Sequence, residues 1–332
     1  MTRLTMAKAI GAGLRQALLD DPRVLLLGED IGTLGGVFRV TDGLLAEFGA
    51  QRVIDTPLAE SGIIGTAVGL AMRGYRPVCE IQFDGFIYPG FSQIVTQVAK
   101  MHSRTRGAMT MPITIRVPVG GGIGSAEHHS DSPEAYFAHT SGLRVIAVSN
   151  PQDSYDLIRQ AIASDDPVLY FEPKRRYHVA GEVDLDAADR AGDRAPGLER
   201  AVVVAPGTDV TLATFGGLVS VATDAALAAA ADGISIEVID LRSLAPIDYA
   251  ALDASVRKTG RLVVAHEAVR SGGLAGEIIA TVTEHCFSFL EAAPLRVTGW
   301  DIPYPPSKLE GHHLPDLDRI LDAVDRVLGR RS

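Results

Sequence analysis

The segment Val24-Leu25-Leu26-Leu27-Gly28 decides the fold class, because it carries no polar side chain at any position. A strand with one wet face alternates apolar and polar residues, whereas a strand covered on both faces is apolar throughout. The segment therefore predicts an inner strand of a parallel sheet. The residues before it agree. Met6 to Leu18 carries an apolar side chain at every fourth position, which predicts an amphipathic helix with Thr5 as its N-cap.

Short apolar segments continue to alternate with segments of helical periodicity along the whole chain. Strands are predicted at 77–83, 112–119, 143–148, 168–171, 210–215, 235–241, 261–266 and 295–299, and helices at 62–73, 92–103, 153–164, 220–231, 275–286 and 317–328. This order predicts an α/β fold of two domains, each with a mostly parallel sheet flanked by helices. A charged stretch of small residues marks a linker at 186–200, which places the domains at 1–185 and 201–332.

The composition indicates an ordinary globular protein and excludes several classes of partner. Of 332 residues, 46% are hydrophobic and 22% are charged, which rules out intrinsic disorder. The 31 basic and 41 acidic residues give a net charge of −10 without a basic stripe, which argues against nucleic acid or an anionic membrane as a partner. The chain shows neither a signal peptide nor a membrane span, and Cys79 and Cys286 make no disulfide framework. We therefore expect a cytoplasmic protein.

Glu60 is the first candidate for acid–base chemistry. It follows the segment Asp55-Thr56-Pro57-Leu58-Ala59, which joins an extended stretch to a helix, and α/β proteins place ligand sites at such junctions. One interpretation is that Glu60 only stabilises the helix N-terminus, an effect of about 0.3–1 kcal/mol. The other is that its carboxyl exchanges a proton with a bound heterocycle. Its position alone leaves both open.

A glycine-rich segment and a pair of histidines form the second candidate. Gly120 to Gly124 follows a predicted strand, so its backbone amides are open to close approach by an anion. The segment matches neither the P-loop nor the dinucleotide-binding spacing. His128 and His129 lie in a polar loop, where a histidine suits acid–base work or simply contacts solvent. No other His or Cys pair has the spacing of a zinc site.

Seven segments, in this order, resemble the beta subunit of the thiamine-diphosphate-dependent decarboxylating component of 2-oxo acid dehydrogenase complexes. The resemblance implies a pyrimidine-binding domain of the transketolase type followed by a transketolase C-terminal-like domain. The segments are VLLLGEDIGTLGGVFRVTDGL (24–44), RVIDTPLAESGIIGTAVGLAMRGYRPVCEIQF (52–83), HHSDSPEAYFAHTSGLRV (128–145), DDPVLYFEPKRRY (165–177), EVIDLRSLAPID (237–248), KTGRLVVAHEA (258–268) and APLRVTGWDIPYP (293–305).

The resemblance implies roles for particular residues. Glu60 matches the glutamate that hydrogen-bonds a ring nitrogen of the aminopyrimidine of thiamine diphosphate. Leu58, Gln82 and Phe86 match positions that line the aminopyrimidine pocket, although the family often has tyrosine in place of Phe86. His129 matches the active-site histidine that donates a proton while the acyl group passes to the lipoyl arm. The resemblance therefore favours the interpretation that Glu60 is an acid–base group for the cofactor over the interpretation that it only stabilises the helix N-terminus.

The resemblance also implies ions and partners. Such enzymes hold Mg²⁺ and the diphosphate with a Gly-Asp-Gly motif, and this sequence has none, so we expect half a cofactor site. An alpha subunit is expected to bring the other half, with Mg²⁺, in a heterotetramer of two alpha and two beta chains. The C-terminal domain is expected to dock on the dihydrolipoyl acyltransferase core. Some relatives bind potassium, largely through backbone oxygens, at positions matching Ile113, Ala161, Ile162, Ser164 and Asp166.

Three segments favour a branched-chain 2-oxo acid as the substrate. Glu80 to Phe83, Ser130 to His139 and Phe171 to Pro173 resemble branched-chain enzymes more than pyruvate enzymes. The prediction is oxidative decarboxylation of branched-chain 2-oxo acids with acyl transfer to the lipoyl group. One alternative is a pyruvate or acetoin dehydrogenase subunit. Others are a non-catalytic assembly protein of the same fold and a stand-alone nucleotide-binding protein built on the glycine segment.

Overall fold

The structure, a computed structural model, describes residues 1–186 and 197–330. The first half contains β1 (Thr2–Thr5), α1 (Met6–Asp20), β2 (Val24–Gly28), α2 (Leu44–Phe48), β3 (Val53–Asp55), α3 (Glu60–Met72), β4 (Arg76–Glu80), α4 (Phe91–Gln93), α5 (Met101–Arg104), β5 (Thr114–Val119), α6 (Glu134–Ala138), β6 (Arg144–Ala147), α7 (Pro151–Ala163), β7 (Val168–Pro173) and β8 (Ala180–Val183). The second half contains β9 (Val202–Ala205), β10 (Val210–Thr214), α8 (Leu218–Ala231), β11 (Ile236–Asp240), β12 (Ser243–Ala245), α9 (Tyr249–Thr259), β13 (Leu262–Val269), α10 (Leu274–Cys286), β14 (Leu295–Gly299), α11 (Glu310–His313) and α12 (Leu317–Val327).

Among the described residues, β2 lies inside a sheet of the order β12-β6-β7-β5-β4-β2-β3, in which all strands but β12 come from the first half. All of these pairs are parallel except that of β12 with β6. Leu25 and Leu27 pack into one hydrophobic core, whereas Val24 and Leu26 pack into another on the opposite face. The strand is apolar throughout because helices cover both faces, as the sequence predicts. Thr5 caps α1, accepting a hydrogen bond from the backbone N–H of Lys8.

The second half builds a sheet of the order β14-β13-β10-β11-β9 from the residues that the structure describes. Its pairs are parallel apart from β9, which runs antiparallel to β11. Helices α8 and α12 pack against one face, while α9 and α10 contribute to the core on the other. The predicted fold class is confirmed: two α/β domains with mostly parallel sheets flanked by helices.

One strand of the second half joins the sheet of the first half, and the sequence pattern does not reveal it. Strand β12 leaves the second half and pairs antiparallel with β6, at the edge of the first sheet. Nearby, the Ser149 hydroxyl donates to the Asp240 carboxylate across the boundary at 2.5 Å. A three-residue strand carries too little periodicity to be predicted. The domain limits at 185 and 201 stay a prediction, and residues 187–196 of the predicted linker lie outside the described residues.

The segment 92–103 is helical, as predicted, but it is not one regular α-helix. The structure has the short helix α4, a π-helical turn at Ile94–Val98, and the short helix α5. The backbone N–H of Ala99 donates to the carbonyl of Ile94 at 2.9 Å, five residues back. The carbonyl of Ala99 faces Gly142, where an added Cβ would lie only 2.0 Å away. This close approach accompanies a wider turn, which helical periodicity does not reveal.

Membrane crossing has no support in the described helices, since none of them combines the required length with sufficient apolar character. Cys79 and Cys286 are free, buried thiols.

Candidate active site

The carboxyl ends of β2, β3 and β4 bring three polar groups together at one edge of the first sheet. Glu60 is the first residue of α3 and is only 7% exposed. Glu29, one residue beyond β2, is also 7% exposed. The side-chain amide of Gln82, two residues beyond β4, donates to the carbonyl of Glu29 at 3.3 Å and to Asp30 at 3.2 Å. The predicted residues Glu60 and Gln82 thus meet around Glu29.

Glu29 is the group that the sequence analysis missed. Burial raises the pKa of its carboxyl, and the charge of Glu60 raises it further. Its buried Oε1 has no hydrogen-bond partner among the described residues. Buried polar atoms are nearly always hydrogen-bonded, so such an atom points to a donor from a bound molecule. The signal was available in the sequence, because Glu29 directly follows a buried strand and ligands bind beyond the carboxyl ends of such strands.

An aromatic wall stands beside these carboxyl groups and carries the predicted histidine. The ring of His129 lies 4.2 Å from Phe83 and 5.1 Å from Phe86, centroid to centroid, in edge-to-face contacts. The turn that holds Phe86 packs against the start of α3, where Gly90 approaches the Glu60 carbonyl. Leu58 is 80% exposed. The turn that carries Phe86 thus adjoins the start of α3, and His129 packs against Phe83 and Phe86, whereas the side chain of Leu58 is open to solvent.

The electrostatics around His129 favour its neutral form at neutral pH. Burial lowers the pKa of His129, and the neighbouring His128 and Lys174 lower it further. Lys174 is itself buried and pairs with the buried Asp84 at 2.5 Å. Burial raises the pKa of Asp84 to about 7, although Lys174 opposes the shift. A histidine with a lowered pKa releases its proton readily once it is protonated, which suits a proton donor.

A fully buried arginine supports this edge from below. Arg116 on β5 binds Glu80 at 2.5 Å and Glu172 at 2.7 Å, and the hydroxyl of Tyr177 donates to Glu172 at 2.6 Å. Glu80 is the last residue of β4 and Glu172 is the second-last residue of β7, and these two strands lie on either side of β5. Such a network holds the ends of three strands in fixed register.

The predicted glycine-rich loop faces the second domain instead of an open pocket. The backbone N–H groups of Gly122 and Gly124 donate to the carboxylate of Glu310, at 3.0 and 3.3 Å. The N–H of Gly121 donates to Glu267 at 3.3 Å. The anion-binding backbone is therefore occupied by the chain's own carboxylates, which removes the basis for the stand-alone nucleotide-binding alternative.

The residues of the predicted potassium site meet at the opposite edge of the sheet, but they do not fit a cation. The Arg76 guanidinium donates to the carbonyls of Ile162 and Ser164, at 3.0 and 2.9 Å. The other members also have carbonyls that accept hydrogen bonds: Ile113, Ala161 and Asp166. A positive charge at this place repels a second cation. Across residues 1–186 and 197–330, no group of three or more His, Cys, Asp or Glu could hold a metal ion.

Comparisons with known proteins agree with this architecture. Residues 2–179 match the transketolase pyrimidine binding domain, and residues 199–320 match the transketolase C-terminal domain. A solved split-gene transketolase, described as an inactive beta4 tetramer, has a TM-score of 0.79 over 99% of both chains. At 23% identity, that likeness shows the fold alone.

Curated relatives extend the comparison to the level of the family. The chain is 60% identical to a pyruvate dehydrogenase E1 component subunit beta of Leifsonia xyli, over 98% of this chain and 95% of the relative. It is 54% identical to a 3-methyl-2-oxobutanoate dehydrogenase subunit beta of Mycobacterium tuberculosis, over 98% and 92%. A 2-oxoisovalerate dehydrogenase subunit beta of Pseudomonas aeruginosa is 42% identical, over 99% and 96%. This chain therefore belongs to the family of 2-oxo acid dehydrogenase beta subunits, which share the transketolase pyrimidine-binding and C-terminal domains.

Proposed function

We propose that the chain is the beta subunit of a heterotetrameric 2-oxo acid dehydrogenase component that oxidatively decarboxylates branched-chain 2-oxo acids. The acyl group then passes to the lipoyl arm of the dihydrolipoyl acyltransferase. One observation carries the proposal: the buried Glu60 lies close enough to raise the pKa of Glu29, whose Oε1 has no partner among the described residues, and the turn whose aromatic side chains contact His129 packs against the start of α3.

The residues at this edge fit the aminopyrimidine ring of thiamine diphosphate. Glu29 Oε1, a buried acceptor without a partner among the described residues, suits the amino group of an aminopyrimidine, which donates, and the buried carboxyl of Glu60 suits a ring nitrogen, which accepts a proton. The ring of Phe86 offers an apolar contact for a flat heterocycle. When bound, thiamine diphosphate supplies a nucleophilic carbon and an electron sink for decarboxylation.

Glu60 holds and moves the proton in this proposal. Its carboxyl sits at the start of α3, and we assign it the hydrogen bond to a ring nitrogen of the pyrimidine. Burial and the nearby charge of Glu60 both raise the pKa of Glu29, so the Glu29 carboxyl holds a proton more readily than a carboxyl in water. Gln82 fixes the loop of Glu29 through two hydrogen bonds and so orients that carboxyl.

His129 acts later, when the acyl group leaves for the lipoyl arm. Its neutral ring can accept a proton from solvent and then donate it, and its lowered pKa makes that donation easy. The contacts with Phe83 and Phe86 fix the plane of the ring. His128, which is more exposed, has no role in the proposal.

The alpha subunit completes the site. The exposed side chain of Leu58 at the rim is suited to contact with a partner chain and the cofactor. The sequence has no Gly-Asp-Gly motif for Mg²⁺ and diphosphate, so these fall to the partner. We include no potassium ion, because Arg76 already binds two of the carbonyls.

The substrate is proposed on the three segments at 80–83, 130–139 and 171–173, which resemble branched-chain enzymes. Pyruvate is the second candidate, because the Leifsonia relative at 60% identity is named for pyruvate. The Mycobacterium relative named for 3-methyl-2-oxobutanoate is 54% identical.

The test is decarboxylation of 3-methyl-2-oxobutanoate and of pyruvate by the chain co-expressed with its alpha partner. An artificial electron acceptor, thiamine diphosphate and Mg²⁺ are present. We expect activity only in the pair, with the branched acid preferred, and a loss of about 100-fold or more in Glu60→Gln. The exposed Glu182→Gln is the matched control and keeps full activity. Near-normal activity of Glu60→Gln would overturn the catalytic assignment, whereas a preference for pyruvate would change only the substrate.

A further inference from the structure

The glycine segment that precedes His129 forms an anion-binding nest, and a side chain of the second domain fills it. Gly120, Gly122 and Gly124 have positive φ angles of 81°, 90° and 72°. Alternation of this kind turns successive N–H groups toward one point. That point is the carboxylate of Glu310, which accepts hydrogen bonds from Gly122 and Gly124.

The carboxylate of Glu310 is itself held in place. The hydroxyl of Tyr304 donates to it at 2.8 Å. The same hydroxyl lies so close to Gly121 that an added Cβ would come within 1.8 Å, so only glycine fits there. Glu267 accepts from Gly121 and is fixed by Arg175 at 2.6 Å. The second domain thus holds Gly121, Gly122 and Gly124 through two carboxylates.

The glycine segment 120–124 and His129 belong to one closed loop. The N–H of Gly120 donates to the carbonyl of Asp131 at 2.8 Å, which ties the loop at its base. At the far side the backbone of His128 rests on Gly85, where an added Cβ would lie 2.3 Å from its carbonyl oxygen. Between these two attachments, the glycines have little conformational restraint of their own. Their restraint comes from the second domain.

We propose that Glu310, supported by Tyr304, is a positioning residue for His129. The inference rests on the proposed function, in which His129 donates a proton during acyl transfer. Loss of the carboxylate frees Gly122 and Gly124, and the loop then samples orientations in which the imidazole leaves its place against Phe83. Acyl transfer to the lipoyl arm falls, whereas decarboxylation, which needs Glu60 and not His129, is spared.

Glutamine is the informative replacement for Glu310, because it keeps the shape but removes the charge. Its amide presents one oxygen to the N–H groups and directs an NH₂ group at the rest. Charge-assisted hydrogen bonds are about twice as strong as neutral ones, so we expect acyl transfer to fall by about 10-fold to 100-fold. Tyr304→Phe keeps the carboxylate and removes one bond to it, so a smaller loss in the same direction is expected.

The experiment uses the assembled alpha–beta pair and two assays, dye-linked decarboxylation and reductive acylation of a lipoyl domain. Variants are Glu310→Gln, Tyr304→Phe, His129→Ala as the reference, and the exposed Glu284→Gln of the second domain as the control. Selective loss of acylation in Glu310→Gln, with a smaller loss in Tyr304→Phe, supports the proposal. The pH profile of acylation is also expected to shift in Glu310→Gln. A merely structural defect would not shift this profile.

Two results would overturn the inference and leave the proposed function standing. One is unchanged acylation in Glu310→Gln while His129→Ala loses it. The other is an equal loss of both activities in Glu310→Gln, which would mean that the residue serves folding alone. If His129→Ala itself keeps full acylation, the role of His129 fails, and the inference fails with it.

Discussion

The carboxyl of Glu134 gives a direct test of the electrostatics beneath the site. It begins α6, is only 4% exposed, and its Oε1 has no partner among the described residues. It lines a cavity of about 30 Å³ between the domains, which is large enough for one water molecule. Burial raises its pKa from 4.5 to about 8, so the native chain keeps this proton at neutral pH. We predict that Glu134→Gln preserves a neutral group here and removes its titration.

The sign and size of the effect follow from proton linkage. Above pH 4.5 the unfolded chain loses the Glu134 proton, while the native chain retains it up to about pH 8. The native state then binds more protons than the unfolded state, so this group lowers wild-type stability as pH rises through that window. Each pH unit corresponds to about 1.4 kcal/mol. Relative to wild type, the variant should therefore gain about 3 kcal/mol between about pH 5.5 and about pH 7.5.

Urea unfolding of both proteins at the two pH values measures this gain, by linear extrapolation of the free energy of unfolding. Other buried acids, such as Asp84 and Asp240, titrate in the same range but cancel in the difference between variant and wild type. The exposed Glu182→Gln is the control variant in the same titrations. If the difference for Glu134→Gln is constant with pH, then Glu134 is ionised in the native chain and the reasoning from burial is wrong.

Two further predictions concern the arginines Arg116 and Arg76. Arg116→Met leaves the carboxylates of Glu80 and Glu172 without their counter-charge, so the free energy of unfolding, measured by urea titration, should fall by about 3–5 kcal/mol. Unchanged stability would show that these carboxyls take up protons instead. Arg76 already donates to the carbonyls of Ile162 and Ser164. Replacing NaCl by KCl at equal ionic strength should therefore leave the melting temperature unchanged. A rise in the melting temperature that is specific to potassium would show that the ion binds beside the guanidinium.

Periodicity predicts those elements whose packing is uniform along their length. Val24 to Gly28 is apolar because its side chains enter two cores, one on each face, and this is visible in the sequence. Strand β12 is different, since its three residues gain their place by pairing with β6 from the other half of the chain. The π turn at Ile94–Val98 likewise ends where Gly142, from a distant part of the chain, approaches the carbonyl of Ala99. Both are long-range effects, which a window along the sequence does not contain.

The site shows the same division between local and long-range information. The position of Glu60 at a helix start is local, but the choice between capping and acid–base work depends on its neighbours. The structure supplies those neighbours: a buried Glu29 whose pKa responds to Glu60. For the glycine segment, the sequence indicates an anion-binding backbone but not the anion. Its ligand is Glu310, which lies 188 residues from Gly122 along the chain.

The charges at the carboxyl edge explain why the proposed site takes only one part of the cofactor. Glu29, Asp30, Asp55 and Glu60 all lie within a few residues of the ends of β2 and β3. Asp55 already uses its carboxylate to accept from the N–H groups of the loop beyond β2. A diphosphate brought here would meet several acidic groups with no cation among the predicted ligands, and like charges at short range repel strongly. The neutral ring suits this edge. The anionic end needs Mg²⁺ and a chain that carries ligands for it, which is the physical reason to expect an alpha partner.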